Sequence, residues 1–111
     1  MKKKDIVKSG VDFNKIIKTG KKISNNCYVI YYKDNNIAHS RYGISVGTKL
    51  GHAVFRNKYK RKIRMIITTN KEILETTTRD YIVLFRKTGI GVEHKILEEK
   101  FIELARKIKE N

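Results

Sequence analysis

The chain has 111 residues, of which 26 are Lys or Arg and 11 are Asp or Glu, and its formal net charge is +15. This length suits one compact domain over residues 1–111 and leaves no room for a second. Charge repulsion of this size destabilises a small fold. The composition therefore argues against an ordinary solvated surface and indicates a polyanionic partner, either nucleic acid or an anionic membrane.

Other classes of protein are excluded by features that the sequence lacks. No apolar run approaches the length needed to cross a bilayer, and no signal-peptide core follows the N-terminal lysines. The single cysteine, Cys27, cannot form an internal disulfide, and the three histidines show no metal-ligand spacing with it. We therefore expect a cytoplasmic protein with no metal site of its own.

The first predicted element is a short helix that begins near Ser9 and ends at Gly20. Ser9 opens a capping-box pattern, and Phe13, Ile16 and Ile17 recur at helical spacing. Glycine is well suited to the residue that follows the end of a helix.

Two strands are predicted next. The aromatic and β-branched run over residues 27–32 predicts one strand, with a short extra strand expected near residues 22–24. The sequence Asp34-Asn35-Asn36 is typical of a turn. Residues 41–46 predict the second strand, and we expect the two strands to pair antiparallel.

The second half of the chain predicts a helix over about residues 54–69, a buried strand over residues 81–85 and a final helix. The predicted fold class is therefore α/β: a small α/β sandwich. The apolar faces of its two later helices are predicted to consist of Phe55, Tyr59, Ile63 and Ile66, and of Leu97, Phe101, Leu104 and Ile108.

The central helix carries the clearest functional signal. No acidic residue lies between Asp34 and Glu72, whereas nine Lys or Arg residues do. Arg56, Lys60 and Arg64 follow one another at intervals of four, so they form one row along the helix. Like charges at this spacing weaken a free helix. The row therefore indicates a surface that binds phosphates, with arginine supplying paired hydrogen bonds.

The residues beside this row extend the predicted surface. Asn57 and Arg61 lie next to it on the side away from the core, and Lys58 flanks the opposite edge. The loop before the helix, from Lys49 to His52, offers free amides close to the positive helix end. For His52 we expect a contact or capping role rather than acid–base chemistry.

The alternation of strand residues 28–32 defines a second surface. Val29 and Tyr31 point to one face, and Tyr28 and Ile30 point to the other. We expect the Tyr28 face to be core. Phe13 and Tyr31 are either core residues or part of an aromatic platform on which bases stack.

The stretches from Arg41 to Val46 and from Lys49 to Arg64 together resemble the signature of the bacterial ribonuclease P protein component. The helix that ends at Gly20, the later strand and the final amphipathic helix follow in the order found in that family. His52 stands where the family usually has Asn, Lys58 where it usually has Arg, and Ile17 where an aromatic residue is common.

The resemblance implies an α-β-β-β-α-β-α fold with a left-handed crossover around the basic helix. It implies a protein that binds the catalytic ribonuclease P RNA and precursor tRNA and assists endonucleolytic removal of the 5′ leader. The RNA subunit, with its required Mg²⁺, would be the catalyst, so no catalytic residue, cofactor or obligate protein partner is expected of the chain itself. The residues implied for the RNA subunit are Lys49, Gly51, His52, Arg56, Asn57, Lys58, Lys60, Arg61 and Arg64. Those implied for the leader are Phe13, Ile17, Val29, Tyr31 and Ser45.

Three other functions compete with this one. A ribosomal-type RNA-binding module shares the charge but not the leader cleft. A self-sufficient nuclease needs paired carboxylates or a metal cluster, which the sequence does not suggest. Binding to a membrane surface through the basic helix conflicts with the use of its apolar stripe in the core.

Overall fold

A computed structural model of the protein describes residues 3–7, 10–75 and 77–110. Three helices and a four-stranded mixed sheet account for most of these residues, which confirms the α/β fold class and the predicted order of elements. Ser9, the predicted capping residue, lies outside the described residues. The elements are α1 (Gly10–Thr19), β1 (Lys21–Ser24), β2 (Tyr28–Asp34), β3 (Arg41–Val46), α2 (Ala53–Asn70), β4 (Arg79–Phe85) and α3 (His94–Lys109).

The strands lie in the order β1-β2-β4-β3. β1 and β2 form an antiparallel hairpin, β2 is antiparallel to β4, and β3 runs parallel to β4 with α2 as the connection. The handedness of that connection stays a prediction.

The expected antiparallel pairing of β2 with β3 is wrong, because β4 lies between them. β4 is apolar on both faces and nearly all of it is buried, so it takes a central place in the sheet. The loop over residues 35–40 crosses the start of β4 and is fastened there. Asn35 donates its backbone N–H to the carbonyl of Thr78, and the Ser40 hydroxyl accepts from the backbone N–H of Arg79.

The main core fills the space between α2, α3 and one face of the sheet. The predicted helix faces are confirmed there: Tyr59, Ile63, Leu97 and Phe101 are all buried, as is Tyr28 of β2. Phe55 is half-buried at the edge of this core.

α1 covers part of the opposite face of the sheet. Ile16 is buried against Ile82 of β4, with Phe13, Ile17 and Tyr31 packed around them. Because α1 is only 10 residues long, it leaves the remainder of this face open.

Candidate nucleic-acid interface

The solvent side of α2 is cationic along most of its length. Its core side buries Tyr59, Ile63, Ile66 and Ile67, with Phe55 half-buried beside them, and the opposite side of the helix is left to solvent or a partner. The exposed residues there include Asn57, Lys58, Arg61 and Arg64, while Arg56, Lys60 and Lys62 are half-buried at the margins. All of the predicted RNA-facing residues of the helix therefore belong to one surface, which we call the α2 surface.

The cations of the α2 surface have no carboxylate partner within the described ranges. The ion pairs found there involve His39, Arg41, Lys71 and Arg79, all of them outside the helix, although Lys71 directly follows it. The described residues therefore do not neutralise the charge of the α2 surface.

Arg56 has a buried Nε without a hydrogen-bond partner among the described residues. A buried N–H that makes no hydrogen bond costs about 1–3 kcal/mol. The atom has almost no contact with solvent, so a phosphate oxygen would reach it only after the side chain had moved outward.

The loop before α2 presents its residues beside the positive end of the helix. Lys49 is exposed in a single 3₁₀ turn over Thr48–Leu50. Gly51 packs against the ring of Phe55, where an added Cβ would lie 2.5 Å from the Phe55 Cδ1 atom. The side chain of His52 is exposed and makes no capping hydrogen bond, so the expected capping role is wrong. The first-turn N–H groups lack acceptors within the helix.

The open part of the α1 face forms a trough. Its floor is one row of the sheet, in which the strand register aligns Ser24, Val29, Leu84 and Ser45 across all four strands. Its wall is formed by α1 and the adjacent Tyr31, which contribute partly exposed aromatic and apolar groups. The structure thus brings together all five residues predicted for the leader: Phe13, Ile17, Val29, Tyr31 and Ser45.

Two residues of the trough were missed by the sequence prediction. Leu84 lies at the centre of the floor and is only partly buried, although residues 81–85 predicted a strand buried on both faces. Arg86 follows it on the same face, is exposed, and donates from Nη1 to the carbonyl of Asn25 at 3.0 Å. The period-two alternation from Asp80 through Leu84 to Arg86 was the signal that would have identified them.

The trough and the α2 surface meet at the edge of β3. Lys60 and Arg64 line a small concavity there together with Phe13, Gly43 and Ile44. An added Cβ on Gly43 would lie 2.8 Å from the Phe13 ring, so only glycine lets α1 approach the sheet this closely. The two predicted binding surfaces are therefore continuous.

A polar cluster fixes α1 over the sheet. Arg41 of β3 donates from Nε and Nη2 to the two carboxylate oxygens of Asp80, at 2.9 and 2.6 Å. Its Nη1 lies 3.7 Å from the Asp12 carboxylate on α1, and Asn35 donates to Asp80 at 2.8 Å.

This polar cluster determines the pKa of Asp80, which is buried. Burial by itself raises the pKa of a carboxyl group, but here the hydrogen bonds from Arg41 and Asn35 and the positive charge of Arg41 outweigh it. They hold the pKa of Asp80 below its ordinary value. Asp80 therefore stays ionised and keeps Arg41 between the sheet and α1.

Two further features are absent from the part of the chain that the structure describes. No group of three or more His, Cys, Asp or Glu side chains is placed to hold a metal ion. None of the helices is both long enough and apolar enough to traverse a bilayer.

A small, strongly basic α/β fold that sets a cationic helix beside a trough of aromatic and apolar groups has the features of an RNA-binding protein. The family model for ribonuclease P matches residues 1–109. The chain belongs to the ribonuclease P protein family, and its function is that of a protein subunit of ribonuclease P in tRNA 5′ processing.

Its similarity to individual members of the family extends over nearly the whole chain. It is 45% identical over 109 residues to the ribonuclease P protein component of Mycoplasma capricolum subsp. capricolum. The aligned region covers 98% of this chain and 100% of the relative. It is 41% identical over 104 residues to that of Streptococcus agalactiae, covering 94% of each.

Solved structures of RNase P proteins have the same fold as this chain. The RNase P protein from Thermotoga maritima superposes with a TM-score of 0.84 at 32% identity, covering 92% of this chain and 96% of that one. A Staphylococcus aureus RNase P protein mutant described as defective in mRNA degradation activity gives a TM-score of 0.84 at 35% identity, covering 97% and 90%.

Proposed function

We propose that in the holoenzyme this protein binds ribonuclease P RNA through the α2 surface and the 5′ leader of precursor tRNA through the trough. The RNA subunit, with its Mg²⁺, carries out the phosphodiester hydrolysis. The protein contributes binding energy and orientation, so its own residues make no bond to the reacting phosphate. The predicted cytoplasmic location and the absence of an obligate protein partner remain predictions.

The observation that carries the proposal is the un-neutralised charge of the α2 surface. Cations that have no internal partner release counterions when they meet phosphates, and this release favours binding. Arg56 contributes a guanidinium at the margin of this surface. The residues proposed to face the RNA subunit are Lys49, Gly51, His52, Arg56, Asn57, Lys58, Lys60, Arg61 and Arg64.

The trough suits a single strand rather than a duplex. Its floor of Val29, Leu84 and Ser45 is shallow and mostly apolar, and the rings of Phe13 and Tyr31 stand beside it. Unpaired bases stack on such surfaces with little dependence on their sequence. The leader, which is the single-stranded part of precursor tRNA, therefore fits this site, with Phe13, Ile17, Val29, Tyr31 and Ser45 as its contacts.

Reconstitution tests the proposal most directly. Purified protein is added to ribonuclease P RNA at a low Mg²⁺ concentration, and cleavage of precursor tRNA at the 5′ end of the mature sequence is followed. We expect the protein to restore cleavage that the RNA alone performs poorly. A failure to stimulate cleavage, despite measurable RNA binding, would favour a general RNA-binding module instead.

RNA degradation by the protein without the RNA subunit is a second candidate function. One observation favours it: a structural relative from S. aureus is described by its mRNA degradation activity. The same reconstitution includes an arm with protein and RNA substrate but no ribonuclease P RNA. Cleavage in that arm, abolished together with binding in a variant of the α2 surface, would support this second function.

Substitution of Tyr31 tests the trough. We expect Tyr31→Leu to weaken binding of leader-bearing precursor tRNA by about tenfold, because a stacked base contributes about 1–3 kcal/mol. Leucine retains the apolar contacts with Ile16 and Ile82, so the thermal midpoint should change little. The measurement is the equilibrium affinity of the reconstituted holoenzyme for precursor tRNA and for mature tRNA. Equal losses for the two substrates would remove Tyr31 from the leader site.

A further inference from the structure

The end of the trough on β1 has a composition of its own. Alternation along this strand turns Ile23 toward the main core and places Lys22 and Ser24 on the α1 face. Both are exposed. The register sets Lys22 opposite Tyr31 of the wall and Ser24 opposite Val29 of the floor. The trough therefore ends on β1 with a cation and a hydroxyl.

The acidic residue nearest this end is Glu103 of α3, which accepts a hydrogen bond from the side-chain amide of Asn25 at 3.0 Å. On the α1 face, Asp12 and Asp80 both lie against Arg41. Asp34 pairs with Arg79 at 2.9 Å. Within the described ranges, no carboxylate lies at ion-pair distance from Lys22.

Lysines on an edge strand also have a simpler explanation, because they discourage pairing with other chains. Lys21 meets that need equally well. It is exposed on the same strand but projects to the opposite face, in register with Tyr32. The two neighbouring lysines therefore project from opposite faces of β1, and Lys22 is the one that faces the trough.

We propose that a single-stranded RNA lying in the trough continues across β1, where Lys22 and Ser24 bind its phosphates. This inference rests on the proposed leader site and adds to it a contact that only a sufficiently long leader can reach. Lys22 supplies a point charge and Ser24 a hydrogen-bond donor, and neither reads the base.

The size of the sheet sets the length at which this contact begins. The trough crosses from β3 to β1 over three strand spacings of about 4.8 Å each, or about 14 Å. A stacked strand advances about 3.4 Å per nucleotide. About four nucleotides therefore span the floor, and the phosphates at its β1 end meet Lys22 and Ser24.

Binding of a leader series to the reconstituted holoenzyme tests the proposal, with precursor tRNAs whose leaders have about two and about eight nucleotides. One phosphate contact to a single strand contributes about 0.7 to the salt slope, or about fivefold in affinity at about 0.1 M salt. We expect Lys22→Ala to bind the substrate with the long leader about fivefold more weakly and to bind the substrate with the short leader with unchanged affinity. Lys22→Arg, which keeps the charge, should retain the affinity for the long leader.

The matched control is Lys21→Ala, which removes the same charge from the same strand on the other face. It should bind both leaders as the unaltered protein does. Equal effects of Lys21→Ala and Lys22→Ala, or a loss in Lys22→Ala that is independent of leader length, would overturn the proposal.

Tyr31→Leu, measured in parallel, separates this inference from the proposed function. A leader-dependent loss in Tyr31→Leu without one in Lys22→Ala would reject only the contact on β1. The absence of leader-dependent loss in both variants would reject the leader site and the contact with it. Both lysines are exposed, so unfolding midpoints should be unchanged in all lysine variants.

Discussion

Replacing Lys60 and Arg64 together with glutamine is expected to weaken binding of ribonuclease P RNA by about 60-fold at about 0.1 M salt. Each phosphate contact to a helical nucleic acid contributes about 0.9 to the slope of log affinity against log salt concentration, so the slope should become shallower by about 1.8. The measurement is the equilibrium affinity at several salt concentrations. The fold should survive, because neither side chain has an ion pair within the described part of the chain.

A matched control distinguishes the loss of specific phosphate contacts from the loss of net charge. Arg106→Gln with Lys107→Gln removes one Arg and one Lys from exposed positions on α3, which has acidic neighbours and faces away from the trough. This control should lose little affinity. Equal losses in the two double variants would show that overall charge, and not the α2 surface, accounts for the binding.

Removing Arg41 is expected to destabilise the protein by about 3 kcal/mol at neutral pH, because it leaves the buried carboxylate of Asp80 without its cation. Asn35 alone remains as a hydrogen-bond donor to that carboxylate. The free energy of unfolding of Arg41→Ala, obtained by urea titration, measures the effect. The double variant Arg41→Ala/Asp80→Asn should recover much of the loss, because it no longer buries an uncompensated charge.

The contribution of Asp80 to the pH dependence of stability should change sign in Arg41→Ala. The pKa of Asp80 is depressed in the folded protein. Its contribution to stability is therefore fully present above the unfolded pKa of about 4 and is lost as the pH falls through the folded value. Without Arg41, burial dominates and raises the folded pKa above the unfolded one.

The stability of Arg41→Ala relative to the unaltered protein should thus improve as the pH is lowered from about 7 to about 4.5. A deficit that stays constant across that range would show that Asp80 does not respond to Arg41. Because Arg41 also lies beside Asp12 on α1, the same substitution should reduce leader binding even under conditions in which the variant is fully folded.

Local patterns were sufficient to predict the three α-helices and the four strands. The spacing of Leu97, Phe101 and Leu104 matches the period of a helix, and these residues are buried as predicted. The pairing of β2 with β3 was predicted from their adjacency in sequence, and adjacency does not determine strand order. The apolar run of β4 indicated a buried strand but not its neighbours, and only the assembled sheet shows that it lies between β2 and β3.

The candidate sites were predictable to different degrees. The α2 surface follows from charge along a single helix, so its residues could be identified from spacing alone. The trough depends on the alignment of β1, β2, β4 and β3, and Leu84 was missed for that reason. The bond between Arg41 and Asp80 joins residues 39 positions apart, and no local pattern predicts such a partnership.

The concavity at the edge of β3 has a thermodynamic consequence. Lys60 and Arg64 line it beside Phe13, so the two RNA chains that we propose for this protein would approach each other there. Any effect of one chain on the affinity for the other must be reciprocal. A leader that raises the affinity of the protein for its RNA subunit by some factor will itself be held more tightly by the assembled particle, by that same factor.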